Sequence, residues 1–270
     1  MKTVTTILLL TIFVSCNQHD KTKQVISIFT KPVISQPVTK DSIKYIEADF
    51  VGGFFPSFVG KYNFTDNLFI ADKRDRDTIY IKGFMDERLV WRSDSLATDG
   101  FELVPDYPSN VYCNDYESKY ANYYYPVYLI NQTPTIKAFI GKDSYIFGLQ
   151  EALDTDGQWR PIEGRGFDFC SNGYWGLKVH PQEFVTVLFP KYSGDYKTKI
   201  RVRIKNGDNI YVSKPYEGTI NEQQLYLKED GYFYRELIKN KASAIEYLFY
   251  GAKPFGTDDK DFGLHAVWTE

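Results

Sequence analysis

The first residues that could do chemistry form a row of cations. They stand at every second position of one stretch: Lys197, Lys199, Arg201, Arg203 and Lys205. Because side chains alternate faces along a β-strand, the row lies on one face and extends over about 27 Å at ~3.4 Å per residue. Such a row could bind a polyanion. Alternatively, it is a solvated sheet face whose cations contact acids and aromatic rings on neighbouring strands.

The apolar residues of the same stretch predict a β-hairpin. They alternate with the cations, and Asn206-Gly207-Asp208 then reverses the chain. A two-residue Asn-Gly turn would put Ile210 on the wet face. We therefore expect a three-residue turn, which pairs Ile204 with Ile210 and Val202 with Val212 and keeps one face of the hairpin dry.

Aromatic residues supply the second group of candidates. The loop 164–175, GRGFDFCSNGYW, combines three glycines with aromatic rings, as carbohydrate-stacking sites do. Glycine also serves tight turns, however, and aromatic rings fill the cores of β proteins. In the expected hairpin register, Tyr211 lies opposite Arg203. The candidate ligand-binding residues are Lys199, Arg201, Arg203, Tyr211 and Trp175.

No catalytic or metal-binding constellation stands out. None of the three histidines has a Cys or another His at a metal-ligand spacing: His19, His180 and His265. Two acidic clusters, 154–157 and 258–261, lack the twelve-residue pattern of a calcium-binding loop. The chain also lacks a glycine-rich phosphate loop, a G-x-S-x-G elbow and an H-E-x-x-H motif. We therefore predict no catalytic residue, no metal and no cofactor.

The amino terminus has the pattern of a secretion signal. Lys2 precedes a short apolar run, and the small residue Ser15 stands directly before Cys16. A cysteine in this place resembles the lipobox of bacterial lipoprotein precursors, with Phe13 where that pattern usually has leucine. The resemblance implies cleavage before Cys16 by signal peptidase II and attachment of diacylglycerol to its thiol. The alternatives are an ordinary signal peptide and an amino-terminal anchor helix.

The same resemblance implies where the protein is located. Acyl chains such as palmitate each contribute roughly 0.8 kcal/mol per buried methylene, and more than one chain gives stable anchoring in a membrane. Asn17 rather than Asp follows the cysteine, which by this resemblance favours the outer membrane, with the protein facing either the periplasm or the exterior.

Two cysteines remain after the expected cleavage. Cys113 and Cys170 form an even pair, and an oxidising compartment allows a disulfide between them. Such a bond requires Cα atoms within about 7 Å of each other. Two buried free thiols are the alternative.

The composition predicts a mainly β protein. Aromatic residues make up 17% of the chain, with 22 Tyr and 20 Phe, and such residues suit pleated, half-buried surfaces. Short strand-like runs between Gly, Pro, Asn and Asp predict an antiparallel β-sandwich, immunoglobulin- or fibronectin-like. Pro126 predicts that its strand lies near an edge. Apolar residues at helical spacing in 231–250 predict one amphipathic helix packed on the sandwich.

The chain is expected to divide into five segments. They are a lipoprotein signal peptide (1–15), a tether (16–44), a small β domain (45–112), a β-sandwich domain (113–230), and a helix and tail packed on the sandwich (231–270). Three phrases of the second half resemble uncharacterised lipoproteins of the Bacteroides and Flavobacterium kind: 156–163, 192–201 and 218–221. That resemblance implies a cell-envelope location and a fold, and no activity.

These observations favour a lipid-anchored envelope protein that binds a glycan or a protein partner without catalysis. A formal net charge of -3 gives no electrostatic footprint for nucleic acid. One alternative is an envelope glycan hydrolase, which needs two carboxylates roughly 5–10 Å apart in a concave pocket. The other is a structural accessory lipoprotein.

Overall fold

The computed structural model describes residues 28–36, 43–46, 51–52, 57–70, 96–114, 121–142, 145–164, 174–228, 230–249 and 251–254. This part of the chain is mainly β, as predicted, with several sheets and two short α-helices. The strands are β1 (Ile34–Ser35), β2 (Ile43–Lys44), β3 (Val51–Gly52), β4 (Ser57–Asn63), β5 (Leu68–Phe69), β6 (Glu102–Pro105), β7 (Val111–Asn114), β8 (Ala121–Asn131), β9 (Lys137–Lys142), β10 (Phe147–Leu153), β11 (Trp159–Pro161), β12 (Glu163–Gly164), β13 (Tyr174–Val179), β14 (Glu183–Pro190), β15 (Tyr196–Asn206), β16 (Asn209–Val212) and β17 (Tyr216–Ile220). The helices are α1 (Tyr232–Lys239) and α2 (Lys241–Leu248), preceded by a 3₁₀ turn at Glu222–Leu225. None of the described helices is long and apolar enough to cross a membrane.

Strand β8 lies at the centre of the largest sheet. It pairs with β14 along one side and with β6 and β7 along the other, and β4 continues the sheet beyond β14. The regions 45–112 and 113–230 therefore both contribute strands to this sheet.

The prediction that Pro126 marks an edge strand is wrong, because β8 is central. The proline lies between the part of β8 that pairs with β6, which ends at the pair Val127–Pro105, and the part that pairs with β7, which starts at the pair Tyr124–Val111. Its carbonyl accepts a hydrogen bond from the backbone N–H of Asp106 at 2.8 Å. Since the carbonyl and the amide nitrogen of one residue point to the same side of a strand, the missing N–H faces the gap between β6 and β7.

The second sheet contains the predicted hairpin in a different register. Strand β15 confirms the extended stretch at Lys197 to Lys205, and it pairs with β10 on one side and with β16 and β17 on the other. Asn206 pairs with Asn209, so the turn has two residues rather than three. Gly207 opens the turn with a φ of +59°, a conformation that glycine adopts at the first position of a type II′ turn.

Tyr211 explains why this register is preferred. It pairs with Ile204, and its hydroxyl donates to the carbonyl of Thr98 at 2.6 Å. Its ring also makes a T-shaped contact with Phe101, with a centroid separation of 6.1 Å. Ile210 and Val212 consequently share the face of the cation row and are 37% and 42% exposed. The expected placement of Tyr211 opposite Arg203 is wrong.

The core lies between the two sheets. It joins side chains of β8 and β14 to Val202 and Ile204 of β15 and to residues of β9 and β13. Trp175 is part of this core, 3% exposed and 4.8 Å from the ring of Phe58. Its ring lies so close to Gly141 that a Cβ atom there would clash. Trp175 is therefore a core residue and not an exposed platform for a sugar.

Two helices occupy the segment predicted to form one. The backbone leaves helical geometry at Asn240, whose side chain accepts a hydrogen bond from the N–H of Ser243 at 3.2 Å and caps α2. Apolar residues of both helices pack around Leu149 of β10. Leu149 pairs with Arg203 of β15, and paired residues point to the same face of a sheet. The helices therefore lie on the face that carries the cation row.

Candidate functional site

The two central arginines of the cation row are bound by an acid on the neighbouring strand β10. The Nε atoms of Arg201 and Arg203 contact the two oxygens of Glu151 at 2.6 and 3.3 Å. Glu151 is fully buried, and the guanidinium group of Arg201 lies 4.1 Å from the ring of Trp159. This arrangement matches the alternative in which the cations contact acids and aromatic rings.

The outer members of the row have different surroundings. Lys205 lies 3.5 Å from Glu246 of α2. Lys199 is exposed and pairs in register with Glu217 of β17. Cys16 and Cys170 lie outside the described residues, and only the backbone of Cys113 is described, in β7. The predicted lipid attachment and disulfide therefore stay predictions.

A pocket of about 500 Å³ opens where the end of β14 meets β15 and β17. Three tyrosine rings and three charged side chains define it: Tyr45, Tyr107, Tyr192, Lys191, Lys197 and Glu217. Its volume lies within the roughly 300–1,000 Å³ typical of small-molecule sites.

Packing holds the aromatic walls in place. Tyr45 is 41% exposed, and its ring lies 4.6 Å from that of Tyr123. Tyr107 lies 4.8 Å from Tyr216 in a tilted stack and 5.1 Å from Tyr125 edge to face. The ring faces that reach the pocket are therefore already oriented before a ligand arrives.

Gly218 of β17 allows the wall and the strand to meet. A Cβ atom at this position would lie 2.9 Å from the hydroxyl of Tyr107 and 2.6 Å from Cδ1 of Ile200. A larger residue would push the Tyr107 ring out of its place in the pocket wall.

Lys191 is the unusual cation of the pocket. It is 9% exposed, and its Nζ donates to the carbonyl of Tyr107 and to Oδ1 of Asn110, both at 2.7 Å. The same Nζ lies 4.4 Å above the Tyr107 ring. Burial lowers the pKa of Lys191, and the negative charge of Asp106 opposes that shift.

A buried hydrogen-bond network lies behind the pocket wall. The hydroxyl of Tyr192 donates to Oε2 of Glu163, which also accepts from Nε2 of Gln150 at 3.1 Å. The backbone N–H of Gln150 donates to Oε1 of Glu163 at 2.8 Å. Tyr125 donates to Oε1 of Gln150 at 2.7 Å and contacts the hydroxyl of Tyr216.

Glu163 is a buried acid with neutral hydrogen-bond donors. It is 2% exposed, and burial raises its pKa to about 7, although the hydrogen bonds from Tyr192 and Gln150 oppose the shift. Burial also raises the pKa of Tyr192 well above its usual value, as does the Glu163 carboxylate. The Tyr192 hydroxyl therefore stays protonated and can donate to the acid.

Sequence reasoning on ligand-binding residues missed this pocket. Its members are distant along the chain, and none forms a local motif. One signal was present, because the three phrases 156–163, 192–201 and 218–221 converge here. They contribute, in that order, Glu163, Tyr192 with its pocket neighbours, and the β17 wall.

No protein-family model, curated protein or solved structure matches the chain. Within the described residues, no group of three or more His, Cys, Asp or Glu side chains could hold a metal ion.

Proposed function

We propose that this chain is a lipid-anchored protein of the cell envelope that binds a carbohydrate in its tyrosine-lined pocket. The pocket itself supports the proposal, because the oriented rings of Tyr45 and Tyr107 line a space of small-molecule size. The apolar faces of sugar rings pack on aromatic rings, while polar groups at the rim fix their orientation.

The number of carboxylates in the pocket favours a binding function over a hydrolytic one. A glycan hydrolase that uses two carboxylates needs both beside the scissile bond. Among the described lining residues, Glu217 is the one carboxylate. Glu163 lies behind the ring of Tyr192, to which it is hydrogen-bonded.

The finer fold is part of this proposal. Two mainly antiparallel sheets that share a core support an immunoglobulin- or fibronectin-like sandwich, with α1 and α2 as an additional layer. Loops and strand ends at one end of such a sandwich commonly form the binding surface, and the pocket lies at strand ends.

The lipid anchor rests on the amino-terminal sequence. Replacing Cys16 by Ser should move the protein from the membrane fraction to the soluble fraction. If the Cys16→Ser protein stayed in the membrane fraction, the anchor would have to be something else.

A glycan array with the full chain in mild detergent tests the binding proposal. We expect binding to at least one carbohydrate class, with a large loss in the Tyr45→Ala variant. Tyr174→Ala is the matched control, because Tyr174 is also 41% exposed and also contacts an aromatic ring, that of Phe147 at 5.7 Å, outside the pocket. If the Tyr45→Ala and Tyr174→Ala variants bound the carbohydrate equally well, the pocket would not be the binding site.

A further inference from the structure

The charges that line the pocket are not balanced. Two lysines, Lys191 and Lys197, face one carboxylate, that of Glu217. Within the described part of the chain, neither lysine forms an ion pair. The rest of the lining is aromatic or neutral, so the described side chains give the pocket an excess of positive charge.

Of the two lysines, Lys191 is the more unusual, because it is buried. A cation that is removed from water is normally paired with an anion, because an unpaired buried charge costs free energy. Lys191 is 9% exposed, yet its two acceptors are the neutral oxygens of Tyr107 and Asn110.

The acid that influences Lys191 is already bonded elsewhere. Asp106 accepts from Nζ of Lys31 at 2.6 Å and from the hydroxyl of Ser109 at 2.7 Å. Among the described residues, Lys191 therefore donates its hydrogen bonds to neutral oxygens, while the carboxylate whose charge acts on it, that of Asp106, is bonded to Lys31.

The pocket environment would strengthen an attraction to an anion. Charges interact more strongly where water is excluded, since the effective dielectric constant is lower there. The rings of Tyr45, Tyr107 and Tyr192 line the same space as the two lysines, so part of the pocket wall is apolar.

We infer that the ligand of this pocket is a carbohydrate with an anionic group, a carboxylate or a phosphate, which Lys191 and Lys197 recognise. The inference rests on the proposed function and specifies its ligand. The tyrosine rings hold the sugar, and the lysines select for the charge.

Binding of matched oligosaccharides to the full chain in mild detergent tests this inference. One pair compares a neutral hexose oligomer with its uronic acid counterpart, and a second compares a neutral sugar with its phosphate ester. We expect one charged member to bind at least 10-fold more tightly than its neutral match, and the pair concerned identifies the anion. The preference should weaken as sodium chloride is raised from 50 to 300 mM.

Variants of the lysines test whether Lys191 and Lys197 cause the preference for the charged oligosaccharide. Lys197→Gln should reduce the preference for the charged member about 5-fold, consistent with the loss of one partly screened charge. Lys199→Gln is the control, because Lys199 is exposed on the same face of β15 but does not line the pocket. Lys191→Met should act in the same direction as Lys197→Gln.

The outcomes separate this inference from the proposed function. If neutral and charged sugars bound equally and Tyr45→Ala weakened both, the carbohydrate site would stand and the anionic ligand would be wrong. If no sugar bound in a manner that depends on Tyr45, the proposed function would fail and the inference with it. Because Lys197 is exposed, the Lys197→Gln variant should fold. The test therefore gives a result even if Lys191→Met does not fold.

Discussion

Two regions of the molecule each bury a glutamate, and they satisfy its charge differently. Under the helices, Glu151 contacts two arginines. Behind the pocket, Glu163 accepts hydrogen bonds from the neutral groups of Tyr192 and Gln150. Nearby Lys191 is a buried cation without a carboxylate partner among the described residues.

The difference indicates which of the two regions pairs its buried charges internally. The helix-covered face pairs its charges internally, and we therefore interpret it as structural. The pocket region holds an acid and a cation that are not paired with each other, and it opens to solvent. The centre of the cation row, Arg201 and Arg203, therefore belongs to the self-contained region, whereas Lys197 at its beginning lines the open pocket.

Breaking the Glu151 contacts should have the largest effect on stability. Glu151→Gln removes a fully buried carboxylate charge that two arginines contact, so the free energy of unfolding should fall by about 3–5 kcal/mol. Urea unfolding measures the change. Glu217→Gln, at an exposed position, is the control and should stay within about 0.5 kcal/mol of wild type. A loss below about 1 kcal/mol for Glu151→Gln would contradict the structural role of the arginine cluster.

The pH dependence of stability should distinguish Glu163 from Glu151. Burial raises its pKa from 4.5 to about 7, so the folded chain holds a proton between pH 4.5 and 7 that the unfolded chain has released. The stability that this proton confers is complete below pH 4.5 and is lost as the pH rises through 7, by about 3 kcal/mol.

The Glu163→Gln variant cannot titrate at this position. Between pH 4 and 8, wild type should therefore lose about 3 kcal/mol more of its free energy of unfolding than the variant does, as measured by urea unfolding at each pH. The same loss in both proteins would show that Glu163 is already charged throughout this range.

The hairpin offers a third, smaller comparison. Tyr211 contacts Phe101 and Thr98 on the core side, so Tyr211→Ala should cost about 2 kcal/mol. Ile210→Ala should cost less than about 0.5 kcal/mol because Ile210 lies on the outer face. The reverse order of the two costs in thermal or urea unfolding would restore the three-residue turn.

Exposed lysines should show the smallest effects on stability. Lys197→Gln and Lys199→Gln should each stay within about 0.5 kcal/mol of wild type in urea unfolding. A loss above about 1 kcal/mol for Lys197→Gln would make Lys197 a structural residue like the arginines.

Much of the fold could be predicted from local sequence patterns. Alternation predicted the strand at Lys197 to Lys205, and the aromatic-rich composition predicted a mainly β protein, and both predictions are confirmed. The residues 154–157 form a turn of the kind that Asp and Gly favour: the Asp154 side chain accepts from the backbone N–H of Gln158 at 2.7 Å, and Gly157 has a φ of +75°. Such features depend on neighbouring residues and on backbone preferences.

The errors arose where distant residues decide the structure. The hairpin register depends on contacts of Tyr211 with Thr98 and Phe101, which lie more than a hundred positions earlier in the chain. Pro126 is tolerated in a central strand because two different strands end beside it. The pocket joins four separate segments, around 45, 107, 191 and 217, so no short motif describes it.

Hydrogen exchange with and without the tightest-binding charged oligosaccharide tests the central claim most directly. We expect slower exchange at the backbone amides of 191–193 and 217–219, which line the pocket, and unchanged exchange at 201–203, beneath the helices. Protection confined to 201–203 and α2 would contradict this account, because the centre of the cation row would then be the binding surface.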